Sequence, residues 1–179
     1  MTAEAETQAP ENAAQENTAP PVAILAQYIK DLSFEAPSTP AVFSTMQNSA
    51  PDIQINVDVR ANHLQEKTYE VVLFANAQCK AGDTTAFILE LSYGGLFSIN
   101  ASEEHLRPLL LIECPRLLFP FARNIIADVS RDGGFPPLML SPLDFVEMYR
   151  KGMGEADNDG GETTDEATTD AVPESTSTH

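Results

Sequence analysis

The chain has 179 residues, 27 acidic against 10 basic side chains, and a formal net charge of −17. That length fits one domain with tails rather than two, and the absence of a basic stripe excludes nucleic acid as the expected partner, since phosphate binding depends on clustered Lys and Arg. Cys79 and Cys114 are too few for a disulfide framework, no leader-like segment opens the chain, and no apolar run approaches the roughly 20 residues of a membrane span; the expectation is a cytoplasmic protein without direct membrane insertion.

Residues 1–21 are mostly Ala, Glu, Gln, Thr and Pro, and residues 154–179 are mostly Gly, Thr, Asp, Glu and Ser. Such segments bury too little apolar surface to offset the entropy of ordering, so both are expected to be disordered, with a folded domain over residues 22–153. Most of the excess acid lies in these tails, where it favours solubility.

From Pro21 to Leu32 the apolar residues Ile24, Leu25, Tyr28, Ile29 and Leu32 have helical spacing and predict a short, uncapped helix. Asp31 to Glu35 switches to alternation, which Pro37 and Pro40 confine to the edge or start of a sheet. Ala41 to Met46 is expected to be extended. Ile53, Ile55, Val57 and Val59 then alternate with Gln54, Asn56, Asp58 and Arg60, the period of a strand with one wet face. Tyr69 to Lys80 predicts a second strand and Thr84 to Tyr93 a third, joined by a turn at Ala81-Gly82-Asp83. Gly94-Gly95 is expected to break the ladder, and Leu96 to Ile99 to lead out of the sheet towards a helical segment at Glu103 to Ile112 that Pro108 interrupts. Three antiparallel strands in succession, preceded by an edge strand on a longer connection, predict a small sheet of Greek-key type.

Glu113 to Tyr149 carries the most distinctive pattern. Pro115 suits a first helical turn, and Leu117, Leu118, Phe121, Ile125 and Val129 predict one apolar face. Asp132-Gly133-Gly134 ends that helix, because glycine takes the left-handed conformation at no steric cost. Phe135 to Leu143 is apolar and rich in Pro, so it is expected to lie extended over apolar surface, before a last helix from about Leu143 to Lys151. Both faces of the second and third strands carry large apolar residues, more than a single chain of this size needs to bury. An oligomer is expected.

A catalytic constellation is not visible. His63, His105 and His179 are isolated, the cysteines lack neighbouring His or a CxxC partner, and neither glycine pair has the flanks of a phosphate loop. Neither metal nor cofactor is expected, and the chain is not read as an enzyme.

With the elements in order, the sequence resembles the SecB family of bacterial protein-export chaperones. The motifs are KDLSFEAP (Lys30 to Pro37), YEVVL (Tyr69 to Leu73), TAFILE (Thr85 to Glu90), YGGLFSI (Tyr93 to Ile99), CPRLLFPFAR and VSRDGGFPPLMLSPLDF. The resemblance covers essentially the whole folded region, but the tails do not match. It implies an α+β fold, a four-stranded antiparallel sheet packed on helices and assembled as a dimer of dimers, hence a homotetramer. It also implies an ATP-independent cytosolic chaperone that keeps unfolded precursor proteins export-competent and hands them to the SecA motor ATPase. Motif by motif, the SecA-binding positions fall on Asp31, Glu35, Ile88 and Glu90. Phe43, Leu96, Phe97 and Phe135 are the candidates for the client-binding groove. Three alternatives stand beside this: a SecB-like chaperone of a toxin–antitoxin system, a small enzyme with an apolar pocket, and a purely structural oligomer.

Overall fold

The computed structural model describes residues 21–158. The two expected disordered termini lie outside that range, apart from a few residues at each boundary. The chain order is β1 (Val22–Glu35), α1 (Val42–Met46), β2 (Pro51–Gln65), β3 (Thr68–Ala81), β4 (Thr84–Ile99), α2 (Glu103–Pro108), a π-helical segment (Leu109–Glu113), α3 (Cys114–Asp132) and α4 (Phe145–Asn158). Two compact units result, one ending at Ser141 and holding the sheet, the other beginning at Pro142 and holding α4.

The sheet has strand order β1-β4-β3-β2 and every pairing is antiparallel. β2, β3 and β4 follow one another as hairpins, and β1 lies beside β4 across the long connection, which is the expected Greek-key arrangement in an α+β fold. On β3, Val71, Leu73, Ala75, Ala77 and Cys79 are at most 3% exposed, and Phe87, Leu89, Leu91, Phe97 and Ile99 of β4 are equally buried. Period-two alternation puts these sets on one side of the sheet, the side covered by α3: a Cβ on Gly95 would meet Leu118, and the Phe121 ring stacks on Tyr93 with centroids 6.4 Å apart. The opposite face, called the outer face below, carries Ile88, Glu90 and Ser92 of β4.

Four local expectations need correction. The segment at Pro21 to Leu32 is not a helix but most of β1. Its pairing with β4 skips a residue at Leu25 and again at Lys30, so two bulges stretch a period of two into spacings of three and four. Helical periodicity was imitated by an irregular strand. Ala41 to Met46 is not extended but contains α1, a single turn with buried Val42.

Gly94-Gly95 does not break the ladder, and Leu96 to Ile99 stays inside β4. The glycines are needed by what crosses them. A Cβ on Gly94 would lie 2.6 Å from the Tyr28 ring, and one on Gly95 would lie 2.5 Å from the Phe97 ring. Finally, the buried stripe of α3 is Pro115, Leu118, Phe119, Ala122, Ile126 and Ser130, while Leu117 and Phe121 are 42% and 51% exposed. The apolar residues of this helix form two stripes, and only one belongs to the core of the chain.

α3 ends with its left-handed residue at Gly134 (φ 89°), while Gly133 (φ −70°) provides a close approach: a Cβ there would lie 2.4 Å from the Phe34 ring. The apolar stretch that follows has no regular secondary structure and is pinned by one buried hydroxyl. Ser130 Oγ donates to the Ile126 carbonyl at 2.8 Å and accepts from the Leu138 N–H at 2.8 Å. The Phe135 N–H donates to the Ser130 carbonyl at 3.1 Å. In the second unit Asp144 caps α4, its Oδ1 accepting from the N–H groups of Val146 and Glu147 at 2.9 and 3.0 Å.

Candidate functional site

The register of the four strands places three rows of side chains on the outer face. Gln54 of β2 lies opposite Gln78 of β3, which lies opposite Ile88 of β4, which lies opposite Glu35 of β1. The next row is Asn56, Asn76, Glu90 and Ser33, and the third is Asp58, Phe74, Ser92 and Asp31. The four positions expected to bind a partner, Asp31, Glu35, Ile88 and Glu90, therefore share one face of two adjacent strands. Asp31, Glu35 and Glu90 are exposed and Ile88 is half-buried among them. Among the described residues none of the three carboxylates forms an ion pair within the chain. A patch of this kind attracts cationic groups and offers one apolar contact at its centre.

Below these rows the face is closed by a polar staple. The Tyr28 ring lies across Gly94, and its hydroxyl donates to Glu70 Oε1 on β3 at 2.6 Å, while Lys30 Nζ lies 2.8 Å from the same oxygen. Hydrogen bonds from Lys30 and Tyr28 hold the Glu70 carboxyl below the usual carboxylate range, and desolvation, joined by the Glu70 contact, pushes the Tyr28 phenol up to about 12. The staple ties edge strand β1 to β3 across β4, so that the acidic positions of β1 are carried on a fixed strand. Arg60 is also engaged: it lies 3.2 Å from Asp58 and stands over the Phe74 ring at 4.7 Å.

The expected groove residues do not all meet. Phe43 and Phe135 are neighbours, with ring centroids 5.2 Å apart, and Phe135 also packs on Phe87 (5.0 Å) and Phe34 (6.2 Å). Within that aromatic cluster Phe43 is 38% exposed, whereas Phe135 is 4% exposed. Phe97 is buried on the helix-covered side of β4, and Leu96, one residue earlier, faces the outer side opposite Glu70. Apolar surface is nonetheless exposed on the covered side of the edge strands and on α3, at Ile24, Ile29, Leu32, Ile53, Ile55, Leu117 and Phe121. Thiol chemistry has no support: Cys79 and Cys114 are buried, and desolvation raises both, Cys114 to about 12.

The sequence reading did not single out Ser33, Gln54, Asn56, Asn76 and Gln78 as members of the same face as the acidic positions. Their wet-face alternation was visible. Their cross-strand partners were not, because an irregularity between His63 and Gln65 shifts the β2–β3 register by one residue relative to a count from the turn.

Among known proteins, the family described as preprotein translocase subunit SecB matches residues 15–156. The protein-export protein SecB of Paramagnetospirillum magneticum is 52% identical over 143 residues, covering 80% of this chain and 92% of that protein. Its counterpart in Rhodopseudomonas palustris strain BisB5 is 54% identical over 136 residues, covering 75% and 85%. Among solved structures, a SecB-like chaperone of Mycobacterium tuberculosis in complex with an antitoxin peptide is similar with a TM-score of 0.57 at 14% identity, covering 69% of this chain and 91% of that one. That last likeness is one of fold.

Proposed function

The chain belongs to the SecB family of preprotein translocase subunits, and from that membership we propose how it works as a protein-export chaperone. It holds unfolded precursor proteins on exposed apolar surface, without ATP, and delivers them to the SecA motor, which docks on Asp31, Glu35, Ile88 and Glu90. The observation that carries the reading is the half-identity to protein-export relatives over three quarters or more of the chain. Physical chemistry agrees with it. Apolar burial is non-directional, at about 25 cal/mol per Å², so exposed Phe43, backed by the buried Phe135 ring, suits clients of any sequence.

The working form is a homotetramer built as a dimer of dimers. Two features support it: the outward stripe of Leu117 and Phe121 on α3, and β1, an edge strand that pairs among the described residues with β4 alone. Light scattering at micromolar concentration tests this, and a monomer mass would contradict it. The protein works in the cytosol and as a binder rather than an enzyme. Among the described residues no helix is long and apolar enough to cross a membrane.

Dilution of a chemically unfolded precursor from denaturant, with and without the protein and without nucleotide, tests the chaperone reading. Suppressed aggregation at near-stoichiometric tetramer is the expected result. Unchanged aggregation would leave the apolar surfaces as subunit interfaces alone.

A further inference from the structure

The motor-docking reading above concerns the β1–β4 half of the outer face; the structure says something further about the β2–β3 half. There, four carboxamide side chains stand in two directly opposed pairs, Gln54 with Gln78 and Asn56 with Asn76. They line an open concavity of about 460 Å³ together with Ile88, one of the expected docking residues; Ile55 and Ala77, whose side chains point to the other face, contribute backbone. Among the described residues no side-chain hydrogen bond engages any of the four carboxamides. Gln54, Asn56 and Asn76 are exposed and Gln78 is half-buried.

We propose that these four carboxamides are the second half of the docking surface, hydrogen-bonding the backbone of an extended basic segment of the motor whose cationic side chains lie on Asp31, Glu35 and Glu90. This rests on the docking reading and extends it.

The case is one of chemistry and register. A carboxamide offers both an acceptor oxygen and a donor NH2, the complement of a peptide N–H and C=O, and it engages backbone whatever the side chains. The carboxylates supply what carboxamides lack, selection for positive charge. Asn76 is directly opposite Glu90, and Gln78 directly opposite Ile88, which is itself opposite Glu35. The two chemistries are thus adjacent in the same rows. Four strands at about 4.8 Å spacing make a surface about 14 Å wide, the reach of about four extended residues. Within the three rows there is no Lys or Arg; of the flanking cations Lys30 is engaged with Glu70 and Arg60 with Asp58, while Lys80, two residues beyond Gln78 on the same face, stands opposite Asp52. The occupant that fits is a cationic segment with free backbone groups.

Calorimetric titration of purified motor into three tetramers decides the matter: wild type, Asp31→Ala/Glu90→Ala, and Asn56→Ala/Asn76→Ala/Gln78→Ala. All three substituted carboxamides are surface groups, and a thermal melt checks that each variant is folded. The expected result is that the carboxamide variant loses about tenfold in affinity with the wild-type salt dependence, since hydrogen bonds but no charge are removed. The acid variant loses affinity and salt dependence together. Wild-type affinity in the carboxamide variant, with loss in the acid variant, overturns the extension and leaves the docking reading standing. Wild-type affinity in both overturns the docking reading itself. Loss of client protection in the carboxamide variant with motor affinity unchanged gives the concavity to clients and also overturns the extension. Asn56→Asp/Asn76→Asp adds a sharper check: it weakens binding if the NH2 groups donate to the partner, and strengthens it if the surface is read by charge alone.

Discussion

The two faces of one four-stranded sheet are built from the same strands, one residue apart, and yet they differ in burial and in chemistry. On the helix-covered side β3 and β4 present an almost unbroken apolar surface in which Phe97, Leu89 and Val71 are at 0% exposure. On the outer side the same strands present Asn76, Gln78, Ile88, Glu90 and Ser92, exposed or half-buried. Because side chains alternate, a slip of one residue would exchange the two surfaces, so the burial of one face fixes the identity of the other. If the outer face docks the motor as proposed, stability and partner recognition are separable in this protein by parity along the strand.

The largest effect should come from the covered side. Phe97→Ala removes a ring with no exposure and is expected to cost about 3–5 kcal/mol in urea denaturation. Gly95→Val, on the same side, would place a Cβ 2.5 Å from the Phe97 ring and 2.7 Å from Leu118. Overpacking of this kind is expected to cost about 1–3 kcal/mol, or to displace α3 from the sheet. A stable Gly95→Val protein with wild-type denaturation would break the distinction between the faces.

Ser130→Ala comes next. It leaves the Leu138 N–H without its acceptor, at a cost of about 1–3 kcal/mol, and faster hydrogen exchange at Leu138 than in the wild type is the local signature.

How much of this was legible from the sequence depends on which regularity each segment obeys. β3, most of the first ten residues of β4 and the stretch of β2 from Ile53 to Arg60 alternate and are found where they lie, although β2 itself runs further, from Pro51 to Gln65. The first part of β1, to Leu32, reads as a helix because bulges at Leu25 and Lys30 break its period, whereas its end, Asp31 to Glu35, reads as alternation at a sheet edge; only pairing with β4 makes the whole strand visible. The continuation of β4 through Gly94-Gly95 was also hidden, since the reason for Gly94 is the ring of Tyr28, more than sixty residues away in sequence, and Gly95 makes room for Phe97 and for Leu118 of α3. On α3 the spacing points to Leu117, Leu118, Phe121, Ile125 and Val129 as one face and passes over Phe119, Ala122 and Ile126 of the buried stripe, because apolar residues lie on more than one side of this helix. Asp31, Glu35, Ile88 and Glu90 came from family motifs, and parity correctly put each pair on one face. Only the register brings the two pairs, and the carboxamides beside them, into the same rows.

On the outer side the effects are smaller and of another kind. Glu70 has its carboxyl held below its ordinary range by Lys30 and Tyr28, so its contribution to stability is present above the usual glutamate value, about 4.3, and is lost as pH falls through the lower folded value. Glu70→Gln should flatten that acid-side loss in a pH series of thermal melts. The Tyr28 phenol works in the opposite direction: its pKa is raised, so its contribution is lost as pH climbs from about 10 towards about 12. Asn76→Ala should sit at the bottom of the scale, within about 0.5 kcal/mol of wild-type stability. If Asn76→Ala unfolded the protein as Phe97→Ala does, the outer face would be structural and the separation of roles would fail.

The most direct measurement is the mass of complexes formed when purified motor is added to the tetramer already loaded with an unfolded precursor, for wild type and for Asp31→Ala/Glu90→Ala. If one face docks the motor while other surfaces hold the client, wild type forms a ternary complex and the variant retains the client while failing to bind the motor. Displacement of the client by the motor in wild type, or a ternary complex formed equally well by the variant, would contradict the assignment of separate roles to the two faces.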